Sequence, residues 1–230
     1  MPTARKYQIS LIDTPYYHCI SRCVRRAFLC GEDSYTGKNF DHRKQWVIEK
    51  LKQLVEVFAI EVCAFSLMDN HAHYVLRVHQ EKANCWTPEE VIERWTRLFK
   101  GGVLVQRYKA GQCHSPAEIE KIFELAETWR ERLTSISWFM RCLNESIARR
   151  ANAEDNCSGK FWESRFKSQA LLDEQALLAC MIYVDLNPIR AGICQNLESS
   201  EFTSIAQRIN EYANSPPLPK ENSTPTHSLK

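Results

Sequence analysis

Residues 60–78 read IEVCAFSLMDNHAHYVLRV. Two eight-residue runs rich in β-branched and aromatic side chains, Ile60–Leu67 and His71–Val78, flank Met68-Asp69-Asn70, a triplet suited to a tight turn. This pattern predicts a β-hairpin. Side chains of the second run alternate between faces. Ala72, Tyr74, Leu76 and Val78 point to one side; His71, His73, Val75, Arg77 and His79 point to the other. The apolar set belongs against a core. The opposite face then presents two imidazoles, His71 and His73, about 7 Å apart along the backbone at a rise of about 3.3 Å per residue.

On the N-terminal side of the hairpin, Tyr16–Val24 (YYHCISRCV) follows Pro15 and reads as a strand. Between them, Asp41 to Phe58 sets Trp46, Val47, Leu51, Leu54, Val55 and Phe58 at three- and four-residue spacings, an amphipathic helix. On the C-terminal side, residues 81–134 hold 9 Lys+Arg and 9 Asp+Glu and read as a neutral helical insertion. Thr87-Pro88-Glu89-Glu90 and Ser115-Pro116-Ala117-Glu118 each have the form of a capping box with Pro at the first helical position. Their helices are predicted to run to about Lys100, stopped by Gly101-Gly102, and to about Leu133. A further helix is predicted from Ser137 to Ala151, with Phe139, Met140, Leu143 and Ile147 on one face.

Gly159–Leu171 (GKFWESRFKSQAL) reads as a fourth strand. Asp173 is predicted to cap a helix through Ala176, Leu177, Cys180 and Val184, ending near Asn187 because Pro188 disfavours helical geometry in the residue before it. After about Tyr212 the Pro/Ser/Asn-rich tail is expected to be disordered. The expected fold is α+β, an antiparallel sheet with helices on one face. The expected division is a core of residues 1–80 and 135–212, the insertion at 81–134 between the third and fourth strands, and a tail at 213–230.

The 230 residues are 44% hydrophobic and 25% charged with net charge +2, an ordinary globular composition that excludes collagen-like and low-complexity chains. No apolar run reaches the roughly 18 residues of a membrane span, and the N-terminus lacks the apolar stretch of a signal peptide. The expected location is the cytoplasm. The 10 cysteines include no C-x-x-C pair and are expected to be reduced, mostly buried thiols. Gly31–Asn39 approaches a phosphate-binding loop but has five residues between its glycines and Asn after Lys38, so no nucleotide site is expected.

Two imidazoles on one strand can close on one divalent cation, and the same pair also fits solvated strand histidines. Tyr183 and Asn187, four apart, share a helical face. A tyrosine is a poor nucleophile at its ordinary pKa of about 10, yet beside a metal-bound phosphate it can attack phosphorus. The Asn187 amide, one turn away, could add a third ligand to the same ion. The spacing equally suits a tyrosine at a helix–sheet seam and an asparagine ending the helix. Local positive charge accompanies these groups. Residues 1–60 carry an excess of four cations. Arg22, Arg25 and Arg26 follow the first strand, Arg149 and Arg150 end a helix, and Arg165, Lys167 and Arg190 flank the late motifs. Such a set suits phosphate contacts and salt-dependent DNA affinity. Trp162 reads as a core residue before a base-stacking one, and His18 and His79 as structural histidines.

Four segments together resemble the single-tyrosine HUH transposases, closest to the REP-associated tyrosine transposases. They are Tyr17-His18-Cys19-Ile20-Ser21-Arg22, His71-Ala72-His73 after Met68-Asp69-Asn70, Phe161-Trp162-Glu163-Ser164-Arg165-Phe166-Lys167-Ser168, and Tyr183-Val184-Asp185-Leu186-Asn187-Pro188-Ile189-Arg190-Ala191-Gly192. The resemblance spans about residues 14–80 and 136–195. It implies a ferredoxin-like core and a Mg²⁺ or Mn²⁺ ion held by His71 and His73, with Asn187 as third ligand. It further implies that Tyr183 cleaves and rejoins single-stranded DNA through a 5′-phosphotyrosine, with hairpin DNA as the recognised partner. Either a monomer or a homodimer would serve. Two departures stand out: Ala72 is smaller than the usual middle residue, and the 81–134 insertion is long. Two imidazoles suit zinc or nickel better than magnesium, so the ion would depend on DNA oxygens to complete its shell. The rival reading is a domesticated hairpin-DNA-binding protein that needs the cations and not Tyr183. A zinc hydrolase on a barrel would need further His and Asp ligands and more strands.

Overall fold

The structure is a computed structural model and describes residues 8–25, 27–196, 203–206, 208 and 209. The elements in chain order are β1 (Tyr16–Arg22), α1 (His42–Val57), β2 (Ile60–Leu67), β3 (His71–Val78), α2 (Gln80–Asn84), α3 (Pro88–Thr96), α4 (Val103–Lys109), α5 (Pro116–Leu133), α6 (Ile136–Glu154), β4 (Lys167–Ala170) and α7 (Glu174–Arg190). The four strands form one antiparallel sheet in the order β2-β3-β1-β4. With α1 between β1 and β2, and α6 between β3 and β4, this is the split β-α-β arrangement of ferredoxin-like folds.

Strand parity governs the layers as the sequence predicts. Tyr17, Cys19, Ala72, Tyr74, Leu76 and Val78 face a core shared with α1 and α6, and α3 and α5 contribute to the same cluster. The pattern anticipates helices on this face; α7 additionally crosses the opposite face. There Val184 meets Ala64, Val75 and Leu171 in a small second cluster. Asn144 of α6 ties the large layer to the sheet end: its Nδ2 donates to Ser21 Oγ at 2.8 Å, and its carbonyl accepts Trp162 Nε1–H at 2.8 Å. Trp162 is thus a packing residue, edge-on to Phe161.

Several expectations are corrected. The fourth strand is four residues long, because Phe161 is buried in the core and residues 159–166 follow an irregular path held by a bridge from Trp162 to Cys23. The Thr87 capping box forms in full. Ser115 begins α5 without a side-chain cap, and the Glu118 carboxylate pairs with Arg107 at 2.9 Å instead of reaching back to the Ser115 N–H. The first insertion helix ends at Thr96, and α2 and α4 are further short helices the sequence did not announce.

Helix α7 runs through Pro188 to Arg190. Gly192 at φ +71° ends it instead, with Gly192 N–H on the Ile189 carbonyl and Ile193 N–H on the Pro188 carbonyl, a Schellman stop. Pro188 has no N–H for the Val184 carbonyl, yet the backbone stays helical to Arg190. Three of the cysteines are buried, five half-buried and two exposed, and all are free. Among the described residues no helix is long and apolar enough to cross a membrane. The predicted tail at 213–230 and Arg26 lie outside the described residues.

Candidate functional site

The register of the central strands assembles the site. Arg22 lies opposite His71, Ile20 opposite His73, and His18 opposite Val75, all directed to the α7 side of the sheet. On the other flank of β1, Lys167 pairs with Ile20. Here β1, β3, β4 and α7 surround a pocket of about 230 Å³ lined by Ile20, Arg22, His71, His73, Glu163, Ser164, Arg165, Lys167 and Tyr183. Tyr183 is 40% exposed and stands edge-on to His73, ring centroids 5.8 Å apart. The rings of His71 and His73 are 5.0 Å apart. The phenol and both imidazoles, more than a hundred residues apart in sequence, therefore share one pocket.

The sequence reading left His18 as structural; the structure sets it against His73. His18 Nε2 lies 2.9 Å from His73 Nδ1 and their rings stack at 5.1 Å. Strand parity carried the signal, since His18, Ile20 and Arg22 alternate with the core-facing Tyr17 and Cys19. His71 Nδ1 donates to Asn70 Oδ1 at 2.7 Å, which leaves its Nε2 lone pair bare. A His73 Nδ1–H donated to His18 would likewise free His73 Nε2, the usual way a second imidazole or amide orients a metal-binding histidine. Burial holds all three histidines below the ordinary imidazole range, joined for His71 by the nearby Arg22. His73 is lowered to about 3 by burial and by its neighbours His18, His71 and Arg22. Neutral imidazoles at pH 7 are the form that binds metals.

Asn187 is one turn beyond Tyr183, 8% exposed, and its amide nitrogen has no hydrogen-bond partner among the described residues. An orphaned amide fits a group awaiting an oxygen or metal ligand, since its N and O ends exchange by a simple flip. Asn187 does not line the pocket itself. Among the described residues no three His, Cys, Asp or Glu side chains gather as a metal cluster. A cation on His71 and His73 would therefore take its remaining ligands from an amide, from water or from substrate oxygens.

Arg22, Arg165 and Lys167 line the pocket, all exposed, and Arg190 lies 5.5 Å from the Tyr183 ring. No ion pair among the described residues engages any of the four. Arg25 is exposed but outside the pocket lining. Other cations counted in the sequence go elsewhere. Arg43 is fully buried between Glu154, Asp155 and the Phe28 carbonyl, and Lys44 pairs with Asp41 at 2.6 Å. Arg149 and Arg150 line a different groove with Lys50 and Arg141, paired to Glu145 and Glu49. His79 bridges Glu61 and Glu81, a structural role.

No family model matches the sequence, and no curated protein matches it. Among solved structures, the chain is similar to a REP-associated tyrosine transposase bound to a REP hairpin, at 10% identity and a TM-score of 0.54, over 100% of this chain and 98% of the other. The likeness shows a shared fold: a four-stranded antiparallel sheet with its helices, spanning both chains nearly end to end.

Proposed function

We propose that the protein is a DNA strand transferase that cleaves and rejoins single-stranded DNA through a phosphotyrosine at Tyr183, next to a hairpin that it recognises. The observation that carries this reading is the convergence of Tyr183, His71 and His73 on one pocket rimmed by cations that no ion pair among the described residues engages. The match to a fold whose solved example binds a hairpin is in keeping with it.

Arg22, Arg165 and Lys167 would hold the backbone phosphates on either side of the scissile bond, each contributing salt-sensitive affinity. Tyr183 Oη forms a bond to phosphorus while the bond to the 3′ oxygen breaks; the phenol gives up its proton and the departing oxygen takes one. One phosphodiester is exchanged for another, so the step is nearly isoenergetic and a 3′-OH can reverse it without nucleotide hydrolysis. His71, His73 and Asn187 would hold a divalent cation such as Mg²⁺ or Mn²⁺. When bound, that ion polarises and orients the non-bridging phosphate oxygens. His18 keeps the His73 ring in register for this task.

The test is a denaturing gel of the full chain with a labelled hairpin oligonucleotide carrying single-stranded flanks of randomised sequence, with and without Mn²⁺. A protein–DNA adduct that needs the metal and disappears in Tyr183→Phe is expected. Wild-type cleavage by Tyr183→Phe overturns the assignment of the nucleophile. Tight hairpin binding with no adduct under any metal establishes the non-catalytic binding protein instead.

A further inference from the structure

Helix α7 rests on the sheet through little apolar surface, and a polar contact completes its anchorage. Asp185, 8% exposed, has both carboxylate oxygens engaged by Ser204 and Arg208, which with Thr203 belong to one late segment. Oδ1 accepts from Ser204 Oγ at 2.8 Å, and Oδ2 accepts from Arg208 Nη2. The same segment grips β2. Ser204 Oγ accepts from Phe65 N–H at 2.9 Å, Thr203 bridges Ser66, and Arg208 Nη1 donates to the Cys63 carbonyl at 2.9 Å. Cys63 stands at the register shift between Val62 and Ala64, where an irregular strand leaves a carbonyl available outside the ladder. The segment therefore lies along the outer edge of β2 and joins it to α7.

At 3.6 residues per turn, Tyr183 and Asp185 project about 200° apart around the helix. Val184, between them, is fully buried against the sheet. One flank of α7 faces the histidine pocket and the other is tied to β2. We infer that Asp185, Ser204 and Arg208 form a clamp that fixes the roll of α7 about its own axis, and through it the placement of the Tyr183 phenol over His71 and His73. The inference rests on Tyr183 being the reacting group. Asp185 lines no part of the pocket, so it is a positioning residue. A roll of about 15° moves a side-chain tip at a radius of about 5–6 Å by about 1.5 Å. A misplacement of about 1 Å can cost about a hundredfold in rate. The main core sits on the other face of the sheet and does not restrain this rotation.

The experiment compares the full chain with Arg208→Ala, Ser204→Ala, Asp185→Asn and Arg208→Lys. Backbone amide exchange is followed by mass spectrometry, alongside the rate of adduct formation and the affinity for the labelled hairpin oligonucleotide in Mn²⁺. In Arg208→Ala and Asp185→Asn, exchange in residues 176–190 is expected to rise at least tenfold while α1 and α6 stay protected. Adduct formation should slow by about 10- to 100-fold, with hairpin affinity within about twofold of wild type. Arg208→Lys should recover part of the rate. Unchanged exchange in α7 overturns the clamp, and so does faster exchange with a wild-type adduct rate. If the wild-type chain forms no adduct, the assignment of Tyr183 fails separately and the exchange data still decide the clamp. Should the Arg208 variant not fold, Ser204→Ala keeps the ion pair and is expected to show the same effects at smaller amplitude.

Discussion

On one face of the sheet, among the described residues, thirty-five buried apolar residues from β1–β3, α1–α6 and the adjoining loops form a continuous core. On the other, among the described residues, four do: Ala64, Val75, Leu171 and Val184. Each buried methylene contributes about 0.8 kcal/mol, so the first face holds the chain together and the second adds little. The thin face gains room for polar groups in exchange. His18, His71 and His73 occupy the parity opposite to that of Cys19, Ala72 and Tyr74, and Tyr183 reaches them from α7. A second full core would have sealed the pocket; a bare face would have left the imidazoles in bulk water and their pKa values ordinary.

Substitution in each layer separates the two roles. Phe139→Ala removes a fully buried ring packed on Phe58 and is expected to lower stability by about 3–5 kcal/mol, read by chemical denaturation. Val184→Ala removes two methylene equivalents from the thin seam and should cost about 1.5 kcal/mol while slowing adduct formation more than any stability loss explains. Equal effects on stability would end the distinction between the faces. Within the pocket, His18→Ala leaves both candidate ligands in place and removes the partner of His73 Nδ1. Mn²⁺ affinity, measured by electron paramagnetic resonance, is expected to fall about 10- to 100-fold, and an unchanged affinity would show that His18 only packs.

Smaller effects follow at the rim. Lys167→Ala and Arg165→Ala should each weaken hairpin binding evenly across sequences and flatten the salt dependence by somewhat less than one unit of slope per phosphate contact. Arg149→Ala, in the other groove, should leave the slope alone. The smallest effect belongs to the end of the thick layer. Burial alone would raise the Glu154 carboxyl, but the hydrogen bond and charge of Arg43, with His42, override it and hold the group below the usual carboxylate range. A depressed acid contributes stability in full above about pH 4.3 and loses it as pH falls through the folded value. Acid titration of stability should therefore show a decline below about pH 4.3 that Arg43→Met diminishes.

The layers were legible in the sequence wherever parity or helical spacing had only one reading. The ends of β2 and β3 fall where alternation and the Met68–Asn70 turn put them, and Phe139, Met140, Leu143 and Ile147 are buried along α6. Failures came where one local signal outranked another. Pro188 reads as a stop, although the helix ends at Ala191-Gly192, where a positive φ closes the Schellman hydrogen bonds. Phe161 and Trp162 looked like strand residues and instead fill the core at the sheet end. His18 was legible by parity but lacked a partner until β1 and β3 were set side by side. The ties from Ser204 and Arg208 to Asp185 span 19 and 23 residues and follow no period, so only coordinates reveal them.

None of residues 80–135 lines the histidine pocket, although α2, α3, α4 and α5 share the main core with the strands behind it; on α6 the Asn144 side-chain amide reaches Ser21 while its backbone carbonyl accepts Trp162 Nε1–H. A change on the outer surface of those helices therefore leaves the lining of the pocket that holds Tyr183, His71 and His73 untouched.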